Sequence, residues 1–141
     1  MALIVTRTQV WTAILKDRAG GLAETLEPLV REGASFEFLL ARRMPERPGK
    51  GIVFAAPING ARLIKAARTA GFATNARIHA LRIEGPDKAG LMAEVCRTLA
   101  DAGINFRGLS AAGIGRKFAA YLALDSAEDV RRAAAALKKI R

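Results

Sequence analysis

The sequence predicts an α+β chain built from two βαββαβ units, each an antiparallel sheet with both helices on one face. Three observations carry this. Two stretches match without a gap at an offset of 70 residues. Apolar residues alternate in some segments and recur at spacings of three and four in others. These segments come in the same order in both halves, separated by glycine-bearing loops.

The repeat sets "DRAGGLAETLEPLVREGASFEFL" (Asp17 to Leu39) over "DKAGLMAEVCRTLADAGINFRGL" (Asp87 to Leu109). Identical pairs include Asp17/Asp87, Ala19/Ala89, Gly20/Gly90, Leu29/Leu99, Gly33/Gly103 and Phe36/Phe106. Such self-similarity marks a duplication.

Each copy opens with a strand. "QVWTAILK" sets Trp11, Ala13 and Leu15 on one face, and "HALRIEG" sets Leu81 and Ile83 on the equivalent one. A helix follows, carrying Leu22, Leu26, Leu29 and Val30 in the first copy and Leu91, Val95, Cys96 and Leu99 in the second. Pro28 predicts a kink or a late start in the first of these helices. Gly33 and Gly103 are placed to stop them. Hairpins come next, "ASFEFLLARRM" with "GIVFAA" and "INFRGLSAA" with "KFAAYLAL". A second helix closes each copy, opened by Asn59 in the first and Ser126 in the second.

After Gly71 the first copy continues into "FATNA", a short fourth strand, whereas the second copy ends at its helix. The N-terminal "ALIVT" is expected to fill the vacant edge of the second sheet. The expected domains are therefore residues 7–77 and 78–141, with residues 2–6 as the second domain's fourth strand. On this reading each half donates a strand to the other, and neither folds well alone. The arrangement is the ferredoxin-like one.

Composition narrows the function. Apolar residues make up 51% of 141, enough for a packed core. No apolar run approaches the roughly 20 residues of a membrane span. The start "MALIVTRTQVW" turns polar too soon for a signal peptide, so a cytoplasmic protein without membrane contact is expected. A single cysteine, Cys96, excludes an intramolecular disulfide and a thiolate cage and reads as buried filler. A single histidine, His79, leaves no His-based triad or multi-histidine metal site within one chain. No phosphate-cradling or dinucleotide loop is present. A non-catalytic protein with no cofactor or metal is expected.

The formal charge of +10 suggests nucleic acid, an anionic ligand or an acidic partner, but the basic residues are spread along the chain. An RNA-binding module shares the βαββαβ order. Its third strand needs stacking aromatics, and Phe118 and Tyr121, three residues apart, point to opposite faces. Nucleic acid is therefore not the expected partner.

The loops offer a better candidate. Amides at a helix N-terminus favour an anion, and Gly20 and Gly90 let the backbone approach it closely. Asn105, at the start of a second strand, can donate to a carboxylate and accept from an ammonium; Ser35 holds the place in the first copy. Each residue also has a plainer reading. Asp17 and Asp87 suit helix caps, the glycines suit tight turns, Asn105 suits a strained turn, and Arg18 and Lys88 suit solvated surface.

"PDKAGLMAEVCRTLADAGINF" (Pro86 to Phe106), and more loosely "KDRAGGLAETLEPLVREGASF" (Lys16 to Phe36), resemble the ACT domain, a module that binds amino acids and regulates metabolism. The resemblance implies a tandem pair and a regulatory or sensing role, either in its own right or as the regulatory subunit of a separate metabolic enzyme. It implies ligand contacts from Asp17, Arg18, Ala19, Gly20, Gly21 and Ser35 in the first copy. In the second they come from Asp87, Lys88, Ala89, Gly90, Leu91 and Asn105. Ligand would lie between one copy's loop and its neighbour's second strand. Val10, Thr12 and Ile14 form an apolar row on the sheet face away from the helices, where Ala80, Arg82 and Glu84 are the second copy's equivalents. That row predicts packing against another domain or chain, hence a homodimer or larger assembly.

Overall fold

A computed structural model describes residues 3–140. Along the chain run β1 (Ile4–Thr8), β2 (Trp11–Lys16), α1 (Gly21–Arg31), β3 (Phe38–Arg43), β4 (Lys50–Ala56) and α2 (Ala61–Thr69). Then follow β5 (Ala73–Thr74), β6 (His79–Pro86), α3 (Leu91–Asp101), β7 (Phe106–Ile114), β8 (Lys117–Leu124) and α4 (Ala127–Leu137). They form two compact units: residues 9–75, and residues 76–140 together with residues 3–8.

In the first unit the sheet order is β3-β4-β2-β5, antiparallel throughout. The period of two along β2 and β4 turns Trp11, Ala13, Val53 and Ala55 toward the helices. There they meet Leu29 of α1 and Ala67 of α2, with Ile58 and Phe72 closing the cluster. Leu22 and Leu26 pack against it, but Val30 is 56% exposed and lies outside the apolar stripe assigned to it. The late start that Pro28 suggested does not occur, because α1 begins at Gly21 and runs through the proline to Arg31.

In the second unit the order is β1-β6-β8-β7. Leu81, Ile83, Ala120, Leu122 and Leu124 from the sheet meet Val95 and Leu99 of α3 and Val130, Ala133 and Leu137 of α4. Cys96 is only half-buried and is not part of this core. The N-terminal strand completes the unit. Ile4 to Thr8 pair antiparallel with Glu84 to Ala80 of β6, and Leu3 enters the core beside them. Ala2, the first residue of the expected strand, lies outside the described residues. The exchange runs one way, contrary to expectation: β5 pairs with β2 of its own sheet and is not given to the other unit. β1 thus stands beside β6 as β5 stands beside β2.

The helices end as glycine allows. Gly33 donates to Val30 O and Ala34 to Leu29 O, and Gly103 and Ile104 repeat this with Ala100 and Leu99. Ser126 caps α4 by accepting from Asp129 N at 3.0 Å. Asn59 does not cap α2, since Gly60 occupies that position and no side chain bonds there. On the sheet face away from the helices Ile14 is exposed, Thr12 half-buried and Val10 buried. In the second unit Ala80 is buried, and Arg82 pairs with Glu84 at 2.8 Å. Among the described residues no helix is long and apolar enough to cross a membrane.

Candidate functional site

In both units the first strand runs into a short loop and then a helix. The residue before each helix is a glycine in the left-handed region, Gly20 at φ 84° and Gly90 at φ 82°. A side chain there would be strained, which is why glycine stands at both places. Neither helix takes a side-chain cap, so Asp17 and Asp87 are not capping residues. Their amides anchor the loops to the hairpin turns instead. Asp17 N donates to Gly49 O at 3.0 Å and Asp87 N to Arg116 O at 2.8 Å.

Not all of the loop amides are open, as the sequence had suggested. Gly21 N is taken by Arg18 O at 3.0 Å and Leu91 N by Lys88 O at 3.2 Å. Among the described residues, the amides of Ala19, Gly20, Leu22 and Ala23 make no hydrogen bond to the chain, nor do those of Lys88, Ala89, Gly90, Met92 and Ala93. These last flank the positive end of α3, where a carboxylate is favoured.

The two loops differ in what lies over them. In the first unit Arg43 Nε donates to Asp17 Oδ2 at 2.5 Å, and Arg18 Nη2 to Glu24 Oε2 at 2.6 Å. The Arg18 and Glu24 side chains lie 3.9 and 3.8 Å from where a Cβ on Gly20 would stand. No atom comes within 4 Å of the same point on Gly90. Asp87, Lys88 and Glu94 have no ion-pair partner among the described residues. The offset of 70 explains the contrast, because it sets Gly113 where the first unit has Arg43. A Cβ at Gly113 would lie 3.6 Å from both Asp87 carboxylate oxygens, so an arginine there would reach Asp87 directly.

The vacated space is a cavity of about 390 Å³. Asp87, Lys88, Gly90, Leu91, Met92 and Ala93 line one side, with Ala111, Ala112 and Gly113 of β7 and Phe118 of β8 opposite. Ala89 joins the loop without lining the cavity. Asn105 stands just before β7, whose first residue pairs with Leu124, whereas the loop follows Pro86 beside Lys117 at the other end of the sheet. Ser35 likewise precedes β3, away from Asp17. Neither side chain joins the loop of its own unit. Arg43, Gly113 and the small residues of β7 were missed from sequence; carrying the repeat four residues past Leu39/Leu109 would have paired Arg43 with Gly113. Among the described residues no group of His, Cys, Asp and Glu could hold a metal.

A family model described as the ACT domain matches residues 79–141. The second unit matches the ACT domain over nearly its whole length after β1. The first unit repeats that unit's topology and its loop, an arrangement that fits a tandem of ACT domains. Among solved structures, a protein from Bacteroides thetaiotaomicron has a TM-score of 0.76 at 17% identity, covering 96% of this chain and 99% of that one. The ligand-free regulatory subunit of aspartate kinase from Thermus thermophilus has a TM-score of 0.65 at 14% identity, covering 97% and 93%. Its counterpart from Thermus flavus has a TM-score of 0.64 at 14% identity, covering 97% and 95%. At such identities the likeness is one of fold. No curated protein matches the chain in sequence.

Proposed function

We propose that this chain is a tandem ACT protein, a non-catalytic regulatory module that binds a free amino acid at the β6–α3 loop of its second unit. One observation carries the reading: open amides at the start of α3 face a cavity beside β7, while the matching loop in the first unit is covered by its own Arg18–Glu24 and Asp17–Arg43 pairs. The ligand carboxylate docks on the amides of Gly90, Met92 and Ala93, with the Lys88 ammonium nearby. Asn105 sits too far along β7 to reach its own loop, which suits a ligand shared between copies of the chain in a homodimer. Binding then adds to the contacts that hold an assembly together. The Thermus relatives are regulatory subunits of aspartate kinase, and on that analogy the signal passes to a separate metabolic enzyme. The RNA-binding alternative draws on charge alone, since Phe118 and Tyr121 are both buried.

Thermal-shift screening against the amino acids and common nucleotides tests this. A ligand at about 100 times its dissociation constant should stabilise the fold by about 2.7 kcal/mol. A response to one amino acid, lost in Gly90→Val, is expected. Silence across every amino acid would sink the proposal.

A further inference from the structure

We infer that the groove between α1 and α2 of the first unit binds a small polyanion, a molecule carrying two or more phosphate or carboxylate groups. This goes beyond the amino-acid reading and does not depend on it. The groove holds a cavity of about 540 Å³, within the range of small-molecule sites. Pro28, Arg31 and Glu32 line one side, and Arg62, Lys65 and Ala66 line the other. Three cations against one carboxylate leave a surplus of two positive charges. Glu32 takes Arg62 at 3.1 Å, whereas Arg31 and Lys65 have no ion-pair partner among the described residues.

Helix electrostatics work against these cations. α2 carries Arg62, Lys65 and Arg68 and no acid. Arg62 stands in the first turn, at the positive end of the helix dipole, and Lys65 lies three residues on, beside it on one face. Both placements are unfavourable in the free protein. The second unit does the reverse. Counted from the caps Gly60 and Ser126, α4 sets Glu128 where α2 has Arg62 and Arg131 where it has Lys65, and those two pair. At the offset of 70, Asp101 stands for Arg31 and pairs with Arg97. The residues Arg31, Glu32, Arg62 and Lys65 sum to +2, and their counterparts Asp101, Ala102, Glu128 and Arg131 to −1. The same pair of helices therefore forms without this charge. Arg68 is engaged elsewhere, 5.6 Å over the ring of Trp11. Arg31 and Lys65 are left with a cost and no internal partner. A multivalent anion answers all of this, because its separate charged groups can take Arg31, Arg62 and Lys65 at once through charge-assisted hydrogen bonds.

Isothermal titration of the full chain with pyrophosphate and citrate, against methyl phosphate and acetate, at low ionic strength decides the matter. Pyrophosphate and citrate should bind at one site per chain, about tenfold or more tighter than the anions with one charged group, since a second charge-assisted contact is worth at least that factor. Lys65→Glu should weaken pyrophosphate about tenfold or more and yet raise the melting temperature of the free protein, because it turns a like-charge pair with Arg62 into an opposite one. Arg31→Asp, which installs the second unit's residue, should weaken binding to a similar degree. Lys139→Glu changes the net charge as much as Lys65→Glu does, but lies outside the groove and should leave binding as it is. Methyl phosphate binding as tightly as pyrophosphate, or Lys139→Glu acting as strongly as Lys65→Glu, would overturn the inference and reduce the effect to overall charge. A glutamate-rich peptide or a short RNA displacing pyrophosphate at lower concentration would overturn it too, and make the groove a docking face for a macromolecule.

Discussion

Gly90 shows how little freedom some single positions have. Its φ of 82° is open to glycine and strained for any L side chain, although nothing lies within 4 Å of a Cβ there. Gly90→Ala should therefore cost about 1 kcal/mol in urea unfolding, from backbone strain and not from a clash. Gly85 is constrained for the opposite reason, by space. A Cβ on it would fall 2.7 Å from Leu3 Cδ2 and 2.9 Å from Phe118 Cε1. Across the strand pair Gly85 faces Phe118, while the first unit sets Leu15 against Gly51. Large and small have changed sides between the copies, so each layer is filled once. Gly85→Ala should cost about 1–3 kcal/mol by overpacking. Adding Phe118→Leu should recover part of that loss in a double-mutant cycle; strict additivity of the two changes would refute the shared-space account.

Helix ends separate what a sequence displays from what it hides. Ser126 and Asn59 look alike as openers, yet only Ser126 accepts a backbone bond, from Asp129 N. Ser126→Ala should lower stability by about 1 kcal/mol, and Asn59→Ala should change it by only a few tenths, in paired denaturation curves. The strands, helices and sheet order were legible because alternation and helical spacing are local and the repeat states each twice. Gly33 and Gly103 were legible as stops for the same reason. The site was legible only in part. Asp87, Lys88 and Gly90 do meet at a cavity, but what empties or fills it is residue 113 or 43, brought in by hairpin register from 26 residues away. Loop sequence alone carries no sign of that. Gly21 and Leu91 hide a similar difference: a Cβ on Gly21 would strike Lys16 O at 2.2 Å, yet Leu91 buries a side chain in the core. The two loops match in letters and not in how closely they hug their strands.

At the scale of the whole chain the one-way strand sets the order of dependence. The first unit holds all four of its strands within residues 9–75, whereas the second takes its edge strand from residues 3–8. Removing residues 1–8 strips Leu3 from the second core, takes Val5 from against it, and bares the edge of β6. Fully burying a side chain such as Leu3 is worth about 1.5–3 kcal/mol and the partly buried Val5 adds less, together a large share of the stability of a small domain. An exposed edge also invites pairing between chains. The truncated protein should therefore lose its second unit and keep its first. One tryptophan and one tyrosine make this readable, because Trp11 lies in the first core and Tyr121 in the second sheet. Tyrosine absorbance should report early unfolding and tryptophan fluorescence should not. A permuted chain, with residues 3–8 grafted after Ile140 through a short glycine-serine linker, should restore the tyrosine transition to its original midpoint, since β1 would then follow α4 as β5 follows α2. If truncation moves both transitions equally, or the graft restores nothing, the second unit does not depend on its borrowed strand in the way its register with β6 requires.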